Sequence, residues 1–455
     1  MTTTTSTGSQ TLRQEAAAAV AEIAARLDDP ERVAALALAS AAAAEPTGQA
    51  YAQPWIPLGL ADSYVGVAPL YAELGQAGDE PDDRYRKIVH DYLSQALQNP
   101  QGVPASGLGL YLDAVSIAFV ATCAGTRTDD FSNLGRQLDD LIAPDVDRGI
   151  ARIRAAIEER GTVSSNPDYD VVSGLTGLGR LQLMRHLRYG TGRAGLDAIL
   201  GLFAEVATAP GITVDGTPTS PWYSPDRIGK WPDEPGLVNL GIAHGVAGPL
   251  ALLAFAQRDG VTVPGTTEAA DGIARLLLAY RSTDEFGPYW PAGVSVQDGT
   301  VVSYSDGRMR DAWCYGTFGV ARALQVAGQV FARPDWVAEA VAGANAAVRA
   351  AEARPELVTD FALCHGWAGI LHTVQCMALD TGDAELAAGA ERMARRVLSG
   401  FDPDSAFCYR EESMPPVVAD RPGFLLGSAG IALALHAFAT GRPSVTTWDA
   451  ALMYN

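Results

Sequence analysis

Two styles of apolar pattern alternate along the chain. In one, apolar residues recur every three or four positions with polar residues between. Examples are "DRYRKIVHDYLSQALQ" from Asp83, "AGLDAILGLFAEVA" from Ala194 and "TEAADGIARLLLAY" from Thr267. That spacing predicts amphipathic helices with one buried face. In the other style nearly every position is apolar, and the run follows a Gly-x-x-Gly tetrad. It occurs as "GLTGLGRLQLM" from Gly174, "GVAGPLALLAF" from Gly245, "GTFGVARALQV" from Gly316, "GWAGILHTVQC" from Gly366 and "GSAGIALALHAF" from Gly427. These runs predict helices buried on all sides. Two earlier runs, "SYVGVAPLYAEL" around Gly66 and "SGLGLYLDAVSIAF" around Gly109, keep only the second glycine. Alternation with period two is nowhere sustained, so strands should be few.

The second glycines stand at 66, 109, 177, 248, 319, 369 and 430. Each interval has room for two helices and their loops, the signature of a repeat architecture. The simplest arrangement is an all-α ring of seven helical hairpins. Buried helices form its inner wall, amphipathic helices its outer wall, and the glycine turns gather at one end. A closed ring needs no polar end-caps, and glycine permits a sharp turn and close helix approach. The expected domain is single, spanning 11–455 after a disordered polar start at 1–10. Two long loops interrupt the pattern at 211–239 and 284–310 and run into glycine motifs, so both should lie over the motif end. Their aromatic, Pro and Gly content favours a functional role. The second has the makings of a short hairpin around "VSVQDGTVVSY".

Composition narrows the functional classes. The chain has 455 residues, 48% hydrophobic and 19% charged, in the globular range. A net charge of −20, with lysine only at Lys87 and Lys230, argues against nucleic-acid binding. No apolar run approaches the ~20 residues that span a bilayer. The start, "MTTTTSTGSQ", lacks the layout of a secretion signal. A cytoplasmic protein is expected. The five cysteines, Cys123, Cys314, Cys364, Cys376 and Cys408, are an odd number in a long chain, so a disulfide framework is a poor reading.

Aligned on the repeat, the reactive residues fall into register. Cys314 is five before Gly319 and Cys364 is five before Gly369. His365 is four before Gly369 and His244 is four before Gly248. The same places hold Leu425 and Leu426 in the last repeat and Val172 and Ser173 in the third, so the motif folds without these groups. Cys314, Cys364 and His365 therefore form a candidate Cys2His set for one zinc ion per chain. Three protein ligands leave the fourth position open, the mark of a catalytic site, and thiolates favour zinc over magnesium or calcium. Coordination would deprotonate an incoming thiol outright. Cys123, Cys376, Cys408, His90, His186 and His436 read as core residues. His372 and Cys376, four apart on one helix face, lie away from the glycine turn.

The segments "GIAHGVAG" (241–248), "WCYGTFG" (313–319) and "CHGWAG" (364–369), in this order on a seven-fold helical repeat, resemble the lanthionine synthetase C-like family. The resemblance runs from about residue 55 to the final "WDAALMYN". It implies an α/α-toroid, a zinc ion held by Cys314, Cys364 and His365, and addition of peptide cysteine thiols to dehydroalanine or dehydrobutyrine, giving thioether rings. Among catalytic positions it implies His244, Asp170 in "YDVVSG", Arg310 and Tyr315. His244 suits protonation of the enolate, or polarisation of its carbonyl; Arg310 suits charge stabilisation. Asp170 would orient His244 or pair with Arg310, and Tyr315 would act or simply pack. The substrate would be a dehydrated precursor peptide, with a dehydratase and an exporter as partners, placing the protein in the cytoplasm or peripherally at a membrane-bound biosynthetic complex. Two other readings stand beside this one. One is a zinc-containing thiol- or glutathione-binding relative without cyclase activity. The other is a different zinc thiol-alkylating enzyme on the same fold.

Overall fold

A computed structural model of the chain describes residues 3–43, 55–78, 80–99, 109–126, 130–163, 165–225, 236–303, 307–413 and 417–455. The helices in chain order are α1 (Thr3–Arg26), α2 (Pro30–Ala43), α3 (Tyr64–Gln76), α4 (Asp83–Gln98), α5 (Asp113–Ala124), α6 (Ser132–Arg160), α7 (Asn166–Tyr169) and α8 (Leu175–Tyr189). They continue with α9 (Arg193–Thr208), α10 (Ala247–Arg258), α11 (Thr266–Ala279), α12 (Thr317–Val330), α13 (Pro334–Ala353), α14 (Trp367–Thr381), α15 (Ala384–Leu398) and α16 (Ser428–Thr440). Helix α1 begins inside the segment expected to lack structure. No helix among the described residues is long and apolar enough to cross a membrane.

The chain divides into two compact units. The first holds 1–106, 111–131 and 354–448. In it α3 packs on α4, α5 and α16, α14 packs on α15 and α16, and α1 lies along α16 and α15. The second unit holds 107–110, 132–353 and 449–455. Here α8 packs on α9, α10 on α8, α11 and α12, and α12 on α13. Both units follow the sequence pattern. The helices that open on the glycine motif are buried almost throughout, as in α10, where every residue from Ala247 to Ala256 is buried. The amphipathic ones bury a single stripe, as in α4, where Ile88, Val89, Tyr92, Leu93 and Ala96 face inward.

The glycine motif is explained by a fold-back. Carbonyls of the residues before α8, α12, α14 and α16 accept from open N–H groups in the first turns of those helices. Gly177 N reaches Asp170 O (3.3 Å), Gly369 N reaches Ala362 O (3.2 Å) and Gly430 N reaches Gly423 O (3.2 Å). Helices α8, α12, α14 and α16 accordingly have no side-chain N-cap bond, because backbone carbonyls satisfy the N–H groups a cap would serve. The fold-back brings the carbonyl six residues upstream against the second glycine. A Cβ there would stand 2.1 Å from Val171 O at Gly177 and 2.1 Å from Leu363 O at Gly369. The same six-residue step recurs at Gly66, Gly248, Gly319 and Gly430.

The long loops carry most of the described strands. A β1–β2 hairpin (Thr213–Val214, Thr217–Pro218) and β3 (Leu237–Asn239) lie in the first loop, in which 226–235 is outside the described residues. Next come β4 (Ser282–Asp284) paired with β5 (Gly287–Tyr289), then β6 (Gly293–Gln297) and β7 (Thr300–Ser303). The hairpin expected around "VSVQDGTVVSY" is β6–β7, with Val296 opposite Val301. Strand β3 pairs antiparallel with β6, Val238 opposite Val294, so the two long loops share one three-stranded sheet. In the first unit β8 (Glu411–Ser413) pairs with β9 (Val417–Ala419).

Two glycine substitutions should have opposite effects. Gly177→Ala places its methyl against backbone and should lose about 1–3 kcal/mol or more. Gly272→Ala, in the interior of α11 with nothing within 4 Å of an added Cβ, should gain roughly 0.5–1 kcal/mol from helix propensity. Urea unfolding of the two variants checks both signs.

Candidate active site

In the second unit the site residues sit on three neighbouring motif turns. Strand β3 ends at Asn239, whose side chain accepts from Gly241 N (3.0 Å) and whose carbonyl accepts from Val246 N (2.9 Å). These bonds fix the turn that carries His244. Its Nδ1 lies 2.6 Å from Asp170 Oδ2. Asp170 is fully buried, and its other oxygen accepts from Ser173 N at 2.6 Å. The two turns are joined directly by Val171 N to Ala243 O (3.0 Å). Burial pulls the His244 imidazole towards neutrality, but the Asp170 hydrogen bond and charge, with the Cys314 charge, outweigh it, so its pKa is raised above 6.5. Asp170 thus orients His244, and among the described residues no ion pair forms between Asp170 and Arg310.

The third turn carries Arg310, Cys314 and Tyr315. It closes through Ala312 N to Tyr315 O (2.9 Å), and Trp313 Nε1 is tied to Leu452 O (2.9 Å). Cys314 is buried, Arg310 and Tyr315 are half-buried, and the Tyr315 ring lies 6.0 Å from that of His244. Two residues that sequence reasoning passed over hold this turn in place. Arg308, with its side chain 2% exposed, is bound by Asp284 Oδ2 (2.7 Å) and Asp311 Oδ2 (2.6 Å) and stacks on Tyr289. Asp311 Oδ1 accepts from Thr317 N (2.7 Å). Burial pushes the Asp284 carboxyl up, but Arg308 and the backbone N–H groups of Phe286 and Gly287 hold it below its ordinary value. The β4–β5 hairpin is thereby clamped to the Cys314 turn. A charged Arg and Asp inside a Pro- and Gly-rich loop were the available signal.

In the first unit Cys364 and His365 occupy the turn before α14. Cys364 N donates to Leu425 O (3.0 Å) and Leu425 N to Ala61 O (2.8 Å), so equivalent places of three motif turns adjoin. His365 Nε2 lies 3.0 Å from Asp360 Oδ2, and Asp360 is 2% exposed. Asp360 also escaped the sequence reading, which aligned only cysteines and histidines. The remaining thiols lie elsewhere. Cys123 and Cys408 are buried, and burial pushes Cys408 up to about 11. Cys376 Sγ is 3.6 Å from His372 Nε2, inside α14, where the His372 ring packs 4.6 Å from Trp448.

The family described as lanthionine synthetase C-like protein matches residues 54–453. The chain belongs to this family. Among curated relatives of the family, the nisin biosynthesis protein NisC of Lactococcus lactis subsp. lactis is 25% identical over 321 residues, 69% of this chain and 72% of the relative. Among solved structures, nisin cyclase superposes with a TM-score of 0.68 at 20% identity, covering 88% of this chain and 93% of that one. The likeness shows the fold class expected from the repeat, an all-α α/α-toroid.

Arg308→Ala leaves Asp284 and Asp311 as uncompensated, largely buried charges and should cost about 3–5 kcal/mol. In the wild-type chain the Asp284 contribution is present above the ordinary carboxylate range and is lost as pH falls through its depressed pKa. Chemical denaturation at pH 7 and at pH 3 to 4 should therefore show the variant's deficit shrinking in acid.

Proposed function

We propose that this protein is a zinc-dependent lanthipeptide cyclase. Its substrate is a dehydrated precursor peptide, and its reaction adds a cysteine thiol across the double bond of dehydroalanine or dehydrobutyrine. Sulfur bonds to Cβ, the π electrons pass to the enolate, and a proton is delivered to Cα. The observation that carries the reading is the His244–Asp170 pair beside the turn that bears Cys314.

Each side chain has a part. His244, whose protonated form the Asp170 carboxylate favours, acts as general acid towards Cα of the enolate. A carboxylate on Nδ1 leaves Nε2 as the nitrogen that transfers the proton. Arg310, permanently charged and half-buried on the same turn as Cys314, stabilises the enolate oxygen. Tyr315, with its ring near His244, packs the acid in place. Cys314, Cys364 and His365 would hold the zinc ion, being residues of the type and number that could ligate one. The donor set fits: soft sulfur and imidazole, one open position, and an imidazole whose second nitrogen already faces a buried carboxylate. Bound zinc supplies a deprotonated, still nucleophilic substrate thiol at neutral pH. We place the enzyme in the cytoplasm, receiving its peptide from a separate dehydratase and passing it to an exporter.

Incubation with a dehydrated precursor, followed by thiol alkylation and mass spectrometry, tests the activity. Loss of free thiols at unchanged peptide mass is expected; retention of every thiol with tight thiol binding would favour the non-cyclising relative instead. Metal analysis should find about one zinc per chain, on the one-site reading, and chelation should abolish ring closure. Because His244 must be protonated and its pKa is raised, the rate should be retained below that pKa and fall as pH rises through it. Asp170→Asn removes the charge that raises it, so the alkaline limb should move to lower pH. His244→Ala should keep its zinc and lose ring closure or its selectivity.

A further inference from the structure

We propose that Asp360 is the positioning residue of the metal site. Its carboxylate takes the Nε2 proton of His365 and so assigns Nδ1 to the ion. The proposal rests on the zinc reading above and adds a residue to it.

The contact itself is close: His365 Nε2 and Asp360 Oδ2 are 3.0 Å apart, within hydrogen-bonding distance, and Asp360 is almost fully buried. The carboxylate is fixed by its own turn. Oδ1 accepts from Ala362 N (2.9 Å), and the Asp360 carbonyl accepts from Trp367 N (3.1 Å). The first glycine of the motif makes room for it, since a Cβ on Gly366 would stand 2.1 Å from Asp360 Oδ1.

The repeat separates the turn-forming role of this side chain from its charge. Asp360 is nine residues before Gly369, and the residue nine before Gly248 is Asn239. Asn239 makes the equivalent turn bond, accepting from Gly241 N at 3.0 Å. A neutral amide is therefore sufficient for the turn. The two repeats differ in what their histidine faces. His244 meets Asp170 from another motif turn, whereas His365 meets the residue at the turn position itself. In the last repeat, where Leu426 replaces the histidine, the place of Asp360 is taken by Arg421. Across the repeats this place holds Asp168, Asn239, Arg310, Asp360 or Arg421, so the turn itself does not demand a negative charge.

Which imidazole nitrogen binds a metal is set by the hydrogen bond of the other. With Asp360, Nε2 carries the proton and Nδ1 presents its lone pair. In Asp360→Asn the turn bond retains Oδ1, so Nδ2–H faces Nε2 and donates to it. The proton then moves to Nδ1 and removes the ligand. This is the tautomer reversal known when a buried Asp behind a catalytic His becomes Asn.

The test uses full-length wild-type, Asp360→Asn and Asp360→Ala chains, with zinc as the probe in competition against a chromophoric chelator. The wild type should bind one zinc per chain. Asp360→Asn should melt, metal-free, like the wild type yet bind zinc about 10–100-fold more weakly. Nitrogen-15 NMR of labelled histidine should show the His365 proton on Nε2 in the metal-free wild type and on Nδ1 in Asp360→Asn. Asp360→Ala should bind zinc weakly and also melt lower. Wild-type zinc affinity in Asp360→Asn, or an unchanged tautomer, would overturn the proposal while leaving the zinc reading intact. A wild-type chain that binds no zinc would overturn that reading and the proposal together.

Discussion

Everything at the candidate site depends on one backbone arrangement: the segment before each motif helix folds back onto that helix's first turn. Its carbonyls satisfy the open N–H groups at residue spacings of seven, and the carbonyl at spacing six presses against the second glycine. No residue with a Cβ fits there without moving backbone, a crowding shared by Gly66, Gly177, Gly248, Gly319, Gly369 and Gly430. Because helix capping is done by the backbone, the side chains four and five positions upstream are released from that task. They carry Cys314, Cys364, His365 and His244.

Around this scaffold the charged groups are arranged in buried pairs rather than as a diffuse field. Asp170 is held by Ser173 N and spends its remaining oxygen on His244. Arg308 ties Asp284 and Asp311 together, fastening the β4–β5 hairpin to the Cys314 turn. The β3–β6 pairing does similar work from the other side, joining the loop that leads to His244 to the loop that leads to Arg310. Both loops have strand structure where the sequence shows mostly turn residues. The sheet comes from pairing between segments more than 50 residues apart, Val238 with Val294, which no local pattern encodes.

The helical repeat was legible because each of its elements leaves a local trace. Period 3.6 marks α4, α9 and α11, and glycine marks the start of the motif helices. Candidate ligands were legible because a repeat allows residues to be compared with their own counterparts in one chain. The orienting carboxylates behaved differently. Asp170 was reached only through resemblance, since it lies 74 residues from His244. Asp360 and Arg308 were missed, because an Asp or Arg in a loop looks like solvated charge until burial is known. Helix α1 was underestimated for the opposite reason. Its Thr- and Ser-rich start reads as floppy, yet Leu12, Ala16, Val20 and Ile23 give it a buried stripe on α16 and α15.

The backbone bonds between adjoining turns have a consequence for how chemistry is acquired. Cys364, Leu425 and Ala61 stand at one repeat position and join through N–H and C=O groups alone. The joint does not ask what side chain is present. Such a position is a socket: the architecture assembles with a methyl, an isobutyl group or a thiol in it. A change of function there is nearly invisible to folding, so selection could equip two sockets with sulfur while the others stayed inert. Duplication of a hairpin supplies the sockets, and divergence at a few of them supplies the reaction.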